Sequence, residues 1–332
     1  MSNNQSPQIL GTAPIGKLLV EYSLPAIIAM TVVSLYNVID SIFIGHGVGA
    51  MAIAGLAITF PLMNLIIAFC TLVGVGAATI SSIYMGQKDI QRATFVLHNA
   101  AILLLVNGLL VTIVTLIFLD PILLFFGASH ETLPYARDFM QVILIANPIA
   151  YLFVGLNNLM RATGYPKKAM LSSFLTVAVN VIVAPIFIFV LDWGIRGAAM
   201  ATAIAQLTGL VWVLAHFLNK KSFISFKKGC FKLHRRIIAS ILSIGMSPFL
   251  MNSCACIVVI IINTTLQNYG GDMAIGAYGI VNRMLTLFVM VVMGLTQGMQ
   301  PIIGYNYGAN RFDRVKQTLH SVSYTHLTLP TI

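Results

Sequence analysis

The run AAILLLVNGLLVTIVTLIFL, residues 100–119, decides the fold class. It carries no charge, and only Asn107, Thr112 and Thr115 interrupt its apolar character. A bilayer core about 30 Å thick needs roughly 20 such residues per helical crossing, whereas a membrane β-strand is about 10 residues of strict in/out alternation. This run does not alternate, so it reads as a spanning helix. Similar runs recur along the chain, and spans are expected near 16–44, 52–84, 93–119, 135–160, 168–191, 195–218, 237–264 and 273–305. The 332 residues are 58% hydrophobic and 8% charged, with a mean hydropathy of +0.91. A soluble domain is about 25% charged. The chain is therefore expected to be an all-α, polytopic membrane protein. Its start, MSNNQSPQILGTAPIGK (1–17), lacks the basic region and small-residue cleavage site of a secretory signal, so the first helix should be retained.

Charge orients the bundle. Lys17, the pair Lys88 and Arg92, the group Arg161, Lys167 and Lys168, the loop 219–236 and the group Arg311, Arg314 and Lys316 all fall on one side. Only Arg137 and Arg196 lie at the opposite ends, and Arg283 lies inside a span. The positive-inside rule then predicts a cytoplasmic N-terminus. The net charge of +10 is spread over every inner loop, which accounts for it by topology and excludes a nucleic-acid partner.

The chain repeats itself. Residues 49–98 align without a gap on 271–320, matching Gly76 with Gly298, Gly86 with Gly308, Arg92 with Arg314 and His98 with His320. One residue of slippage upstream matches Pro25 with Pro248 and Asp40 with Asn263. Six spans, an even number, separate equivalent positions in the two copies, so the copies run parallel, as in transporters built from two halves around a central site. The expected organisation is a six-helix lobe (1–218), a basic inter-lobe loop (219–236) and the first two helices of a second lobe (237–320). The remainder (321–332) is expected to be a tail foreign to the protein, with the second lobe cut short.

Asp40, in SLYNVIDSIFIG (34–45), is an acid kept within a span. A charge at the bilayer centre costs about 2.5–3.5 kcal/mol on insertion scales, so such a residue is a functional candidate by default; the alternative is a solvated acid at a helix end. Tyr36 and Asn37 precede it by four and three residues and share its face. A carboxylate among hydroxyl and amide groups can bind sodium through oxygen or take up a proton, and either event biases the stability of one conformation over another.

Four stretches together resemble the multidrug and toxic compound extrusion (MATE) transporters, in particular their bacterial DNA-damage-inducible F-like branch. They are LPAIIAMTVVSLYNVIDSIFIG (24–45), LNNLMRATGYPKKAM (156–170), NVIVAPIFIFVLDWGIRGAAMATAIAQ (180–206), and AYGIVNRM (277–284) with GLTQGMQPIIGYNYGA (294–309). The resemblance implies twelve helices in two lobes flanking a cavity, in a bacterial plasma membrane. It implies export of organic, often cationic, compounds by alternating access, driven by proton or sodium entry and without a cofactor. It also implies that Asn180 and Thr202 complete an ion-coupling group with Asp40, Asn37 and Tyr36. The family commonly has a second Asp four residues after Asn180, where this chain has Ala184. No oligomeric partner is expected; the partners are small organic molecules and lipid.

Arg283 is the other buried charge, either structural or cavity-lining. Asn282, Gln297 and Gln300 on the same helix, and Asn157 near the end of the fourth, either line the cavity or satisfy helix contacts. Gly298, Pro301, Gly304 and Gly308 should permit bending and close packing, and Pro25, Pro61 and Pro185 should kink their helices. Cys70, Cys230, Cys254 and Cys256 form no C-x-x-C pair, and the His residues have no metal-ligand spacing, so no metal centre is expected beyond sodium at Asp40. GHGVGA (45–50) lacks a preceding strand and a Lys-Ser/Thr ending, so it reads as a turn rather than a nucleotide loop. Three functions remain: an ion-coupled exporter, a lipid-linked precursor flippase of the same superfamily architecture, and a membrane enzyme or receptor. A flippase should carry several cations in its cavity, and an enzyme a cluster of acids, histidines or a nucleophile with its base. The chain shows neither pattern.

Overall fold

The computed structural model describes residues 8–219, 222–227 and 232–328. Lys220, Lys221, Lys228 and Cys230, and the last four residues of the expected tail, lie outside the described residues. The elements are α1 (Ile9–Thr12), α2 (Ile15–Gly47), α3 (Ala50–Ile58), α4 (Phe60–Gly86), α5 (Ile90–Ile117), α6 (Leu119–Phe125), α7 (Leu133–Ala162), α8 (Pro166–Pro185), α9 (Gly194–Leu218), α10 (Arg235–Gly308) and α11 (Phe312–Thr328). There is no strand among the described residues.

The 100–119 run shows how lipid sorts a helix. On α5, Val106, Leu110, Ile113 and Ile117 are all more than half exposed, whereas the polar positions turn inward. Asn107 donates to the carbonyl of Phe69 (2.8 Å) and Thr112 to that of Leu144 (2.9 Å). An apolar exterior with its polar groups satisfied by neighbouring helices is the arrangement a bilayer requires.

Among the described residues, seven helices are long and apolar enough to cross a membrane. The last of them, α10, is two spans joined across a kink, and both arms pack against α4. Gly271 (φ 64°, ψ −167°) breaks it into arms 235–270 and 272–308. That conformation is open to glycine and strained for other residues. The two expected spans, 237–264 and 273–305, are thus present, but helix rather than loop fills most of the gap between them. The expected 52–84 span is two helices, because Pro61 sits in the first turn of α4 and Thr59 closes α3 by donating to the carbonyl of Leu56 (2.7 Å). After Pro185 the chain continues as a π-turn, Ile186–Val190. The described part of the tail continues α11 as helix to Thr328.

The two copies of the repeat meet along α4 and the second arm of α10, and glycine makes the meeting possible. A Cβ at Gly86 would strike the carbonyl oxygen of Tyr305, and one at Gly308 would strike that of Ile83. These contacts exchange under the 49–98 to 271–320 alignment: Gly86 maps to Gly308 and Ile83 to Tyr305. On the same alignment Ala54 maps to Gly276 and Ala57 to Gly279, and each of these pairs touches itself. A Cβ at Gly276 would lie 3.6 Å from that of Ala54, and one at Gly279 would lie 2.7 Å from that of Ala57. Only residues on a two-fold axis contact their own counterparts, so α3 and the start of the second arm of α10 lie on a pseudo-two-fold axis.

The inter-lobe loop is fastened to α5. His98 accepts the backbone N–H of Lys227 (3.1 Å), and Asn99 both donates to the carbonyl of Lys232 (3.2 Å) and accepts from the N–H of His234 (2.9 Å).

Candidate functional site

Helices α2, α8 and α9 bring Tyr36, Asn180 and Thr202 into one triangle. Asn180 donates through Nδ2 to Tyr36 Oη (2.9 Å) and to Thr202 Oγ1 (3.1 Å), and the two hydroxyls lie 2.9 Å apart. Thr202 in turn donates to the carbonyl of Ala198 (3.1 Å). With both Asn180 hydrogens spent on the hydroxyls, the Tyr36 proton must point to Thr202 and the Thr202 proton to Ala198. The triangle is therefore internally satisfied except at Asn180 Oδ1, which is buried and has no partner.

One turn beyond Tyr36 lies Asp40, 7% exposed, with Oδ1 buried and unpartnered. Ala184, one turn after Asn180 on α8, is fully buried and brings no second acid. Among the described residues no group of three His, Cys, Asp or Glu side chains is placed to hold a metal. The oxygens left open are those of Asp40 and Asn180, since the Tyr36 and Thr202 hydroxyls bond each other.

Arg283 reaches this region from the second half of the chain. It donates to the carbonyl of Asn37 (2.8 Å), and its guanidinium lies over the ring of Phe60, 5.0 Å from the centroid. That carbonyl lies three residues, about one helical turn, before Asp40. No direct ion pair joins Arg283 to Asp40 among the described residues. Asn37 takes part only through its backbone, where its carbonyl also accepts Ser41 Oγ (2.7 Å); its side chain is exposed.

The remaining candidates are dispersed. Gln300 bonds Thr79 Oγ1 (2.5 Å) and the carbonyl of Val75 (3.3 Å) on α4. Gln297 accepts from Arg161 and lies 3.9 Å from Met30 Sδ. Both glutamines thus sit in the seam between the halves. Asn157 is buried between α7 and α8, where it donates to Ser172 Oγ (2.5 Å) and to the carbonyl of Ala169 (3.2 Å). The carbonyl of Asn282 accepts Thr286 Oγ1 (2.8 Å) within its own helix. The roles of Phe60 under Arg283 and of Arg161 as the partner of Gln297 were not legible in the sequence. Arg161 counts there only as an inner-loop charge, and nothing in an apolar run marks one Phe from another.

Two parallel helical repeats meeting on an axis, with an acid and a polar triangle buried beside the seam, define a membrane transporter of the two-halves type. The comparisons narrow this class. The MatE family model matches residues 25–186 and 244–330. The multidrug export protein MepA of Staphylococcus aureus (strain NCTC 8325 / PS 47) is 31% identical over 310 residues, covering 93% of this chain and 68% of the relative. MepA of Staphylococcus haemolyticus is 32% identical over 306 residues, covering 92% and 67%. Among solved structures, the MATE multidrug transporter DinF-BH superposes with a TM-score of 0.89 at 34% identity, covering 97% of this chain and 72% of that one. An outward-facing multidrug resistance MATE transporter superposes at 0.88 with 26% identity, covering 97% and 71%. The chain belongs to the MATE family, whose members are transporters rather than enzymes. It spans about two thirds of the length of the relatives it matches.

Proposed function

We propose that the protein exports organic cations and amphipathic compounds across a bacterial plasma membrane in exchange for protons, by alternating access between its two halves. The N-terminus faces the cytoplasm in this reading, as the distribution of basic residues requires. The observation that carries it is Asp40 Oδ1, buried and unpartnered beside the seam. A proton needs nothing more than that one oxygen. A bound hard cation needs several oxygens at once, and the neighbouring hydroxyls are committed to each other. The charged carboxylate attracts Arg283 across the seam, or a cationic compound in its place; the protonated acid attracts neither. Each protonation therefore changes the balance between two arrangements of the halves by the differential interaction alone. Export of several chemically different compounds is what the names of the MepA relatives describe, and a flexible thioether such as that of Met30 beside Gln297 suits it. A flippase site for pyrophosphate is less well supported. Among the described residues the cations near the polar triangle and the two seam glutamines are Arg283 and Arg161, and both already hold partners.

Dye efflux from everted vesicles, with proton and sodium gradients imposed separately, tests the reading. Native protein should pump with the proton gradient alone, and Asp40→Asn should lose that activity while folding normally. Undiminished efflux by Asp40→Asn would remove the acid from the mechanism, and efflux driven by sodium alone would replace the proton.

A further inference from the structure

At the end of the bundle carrying the N-terminus, α1 is a single turn. Its last carbonyls have no helical N–H to accept, a deficit that must be met from elsewhere when the turn is buried, as Leu10 and Gly11 are. The second half of the chain meets it. Asn306 Nδ2 donates to the carbonyl of Leu10 (2.9 Å), Arg314 donates to those of Leu10 (3.2 Å) and Ala13 (2.5 Å), and Arg311 donates to that of Gly11. Arg314 Nε is itself held by Asn306 Oδ1 (3.0 Å). A Cβ at Gly11 would lie 3.0 Å from the Tyr305 ring, so the turn is pressed against α10.

The two repeats differ at this point. Lys88 and Asn310 occupy equivalent positions and are both left-handed (φ 63° and 56°), and Arg92 is equivalent to Arg314. Between them the first repeat has Asp89 and the second has Arg311. Asp89 caps α5 by accepting the N–H of Arg92 (2.9 Å) and pairs with its guanidinium (3.2 Å). With arginine in place of that acid, the second repeat has no carboxylate at this position; Arg314 keeps Asn306 Oδ1 as a partner within its own half, and both guanidinium groups turn to the N-terminal carbonyls. One substitution between copies thus converts a helix cap into a bond between halves.

We propose that residues 10–13 with Asn306, Arg311 and Arg314 form a clasp that holds the cytoplasmic side of the seam shut and opens each time that side opens. The inference rests on the alternating-access reading above. Only Ala13 and Pro14 join α1 to α2, and both are already extended (ψ 155° and 137°), so the strap has no slack. The halves cannot part at this end unless the clasp bonds break.

The test uses the full chain in everted vesicles, with the native cysteines replaced and Thr79→Cys introduced opposite Gln300, and reads the rate of labelling by a membrane-impermeant maleimide. The double variant Arg311→Gln/Arg314→Gln should raise that rate at least about tenfold, since the three charge-assisted hydrogen bonds the arginines donate to the N-terminal carbonyls are lost and one alone is worth about that factor; Arg92→Gln should not. A second variant leaves both arginines in place: Gly11→Cys with Tyr305→Cys, bridged by a short bifunctional thiol reagent. Bridging should suppress labelling at position 79 and stop dye efflux, and reduction should restore both. Labelling that responds to a proton gradient but to neither clasp variant overturns the clasp alone. Labelling that no gradient, dye or variant alters overturns alternating access, and the clasp with it.

Discussion

Asn180 spends both amide hydrogens on the hydroxyls of Tyr36 and Thr202, so the triangle has no spare donor and its loss is felt by every member. Tyr36→Phe strands one Asn180 hydrogen and removes an interaction from Thr202. It should lower stability by about 1–3 kcal/mol, the cost of an unsatisfied buried polar group, measured as thermal unfolding in detergent. Asn37→Ala is the contrast. Its side chain is exposed and its carbonyl survives the substitution, so unfolding should shift by less than about 0.5 kcal/mol. A large effect at Asn37 would mean that its amide faces the acid after all. From the sequence, Asn37 and Tyr36 are equivalent neighbours of Asp40. Helical spacing places both on one side, but the neighbouring helices engage the side chain of only one.

Helix crossings are governed by glycine. Gly86 and Gly308 each stand where a methyl group would meet the backbone of the facing helix, and the two contacts are equivalent under the pseudo-two-fold. Gly86→Ala and Gly308→Ala should therefore destabilise by similar amounts, about 1–3 kcal/mol each, from overpacking against carbonyls that cannot move aside. Gly16→Ala should do the reverse. Nothing lies within 4 Å of its Cβ position, and alanine is favoured over glycine in a helix by up to about 1 kcal/mol. Unfolding midpoints of the three variants settle the comparison, and equal loss at all three positions would show that close approach is not what distinguishes them. The matched pairs Gly76/Gly298 and Gly86/Gly308 were legible as a repeat, but not as a contact, because periodicity gives a residue's face and not its neighbour.

For the whole molecule, the proposed orientation puts the basic inner loops on the cytoplasmic side. Lys88→Cys, in the α4–α5 turn, should react with an impermeant thiol reagent only from the cytoplasmic face, and Asp192→Cys, in the turn between α8 and α9, only from outside. Labelling of either position from the opposite face would reverse the orientation and with it the sense of transport. Arg283 matters at this scale because it ties the second half to the first one turn from Asp40. It thus belongs to the seam as a structural bond and to the acid as a source of charge.

The helical membrane architecture, the spans, the parallel repeat and the candidacy of Asp40 could all be read along the chain. The architecture and spans depend on local hydropathy, the candidacy of Asp40 on the energy of placing one charge in hydrocarbon, and the repeat on residue identities that recur at a fixed offset. The pairing of Asn180 with Tyr36 and Thr202, the arginines gripping the N-terminal turn, and the self-contact of Ala54 with Gly276 belong to the tertiary structure alone. These interactions join residues from 22 to about 300 positions apart, through hydrogen bonds and close approaches that extend only a few ångströms. Hydropathy cannot specify which helix lies within that reach; the packing of the whole bundle does.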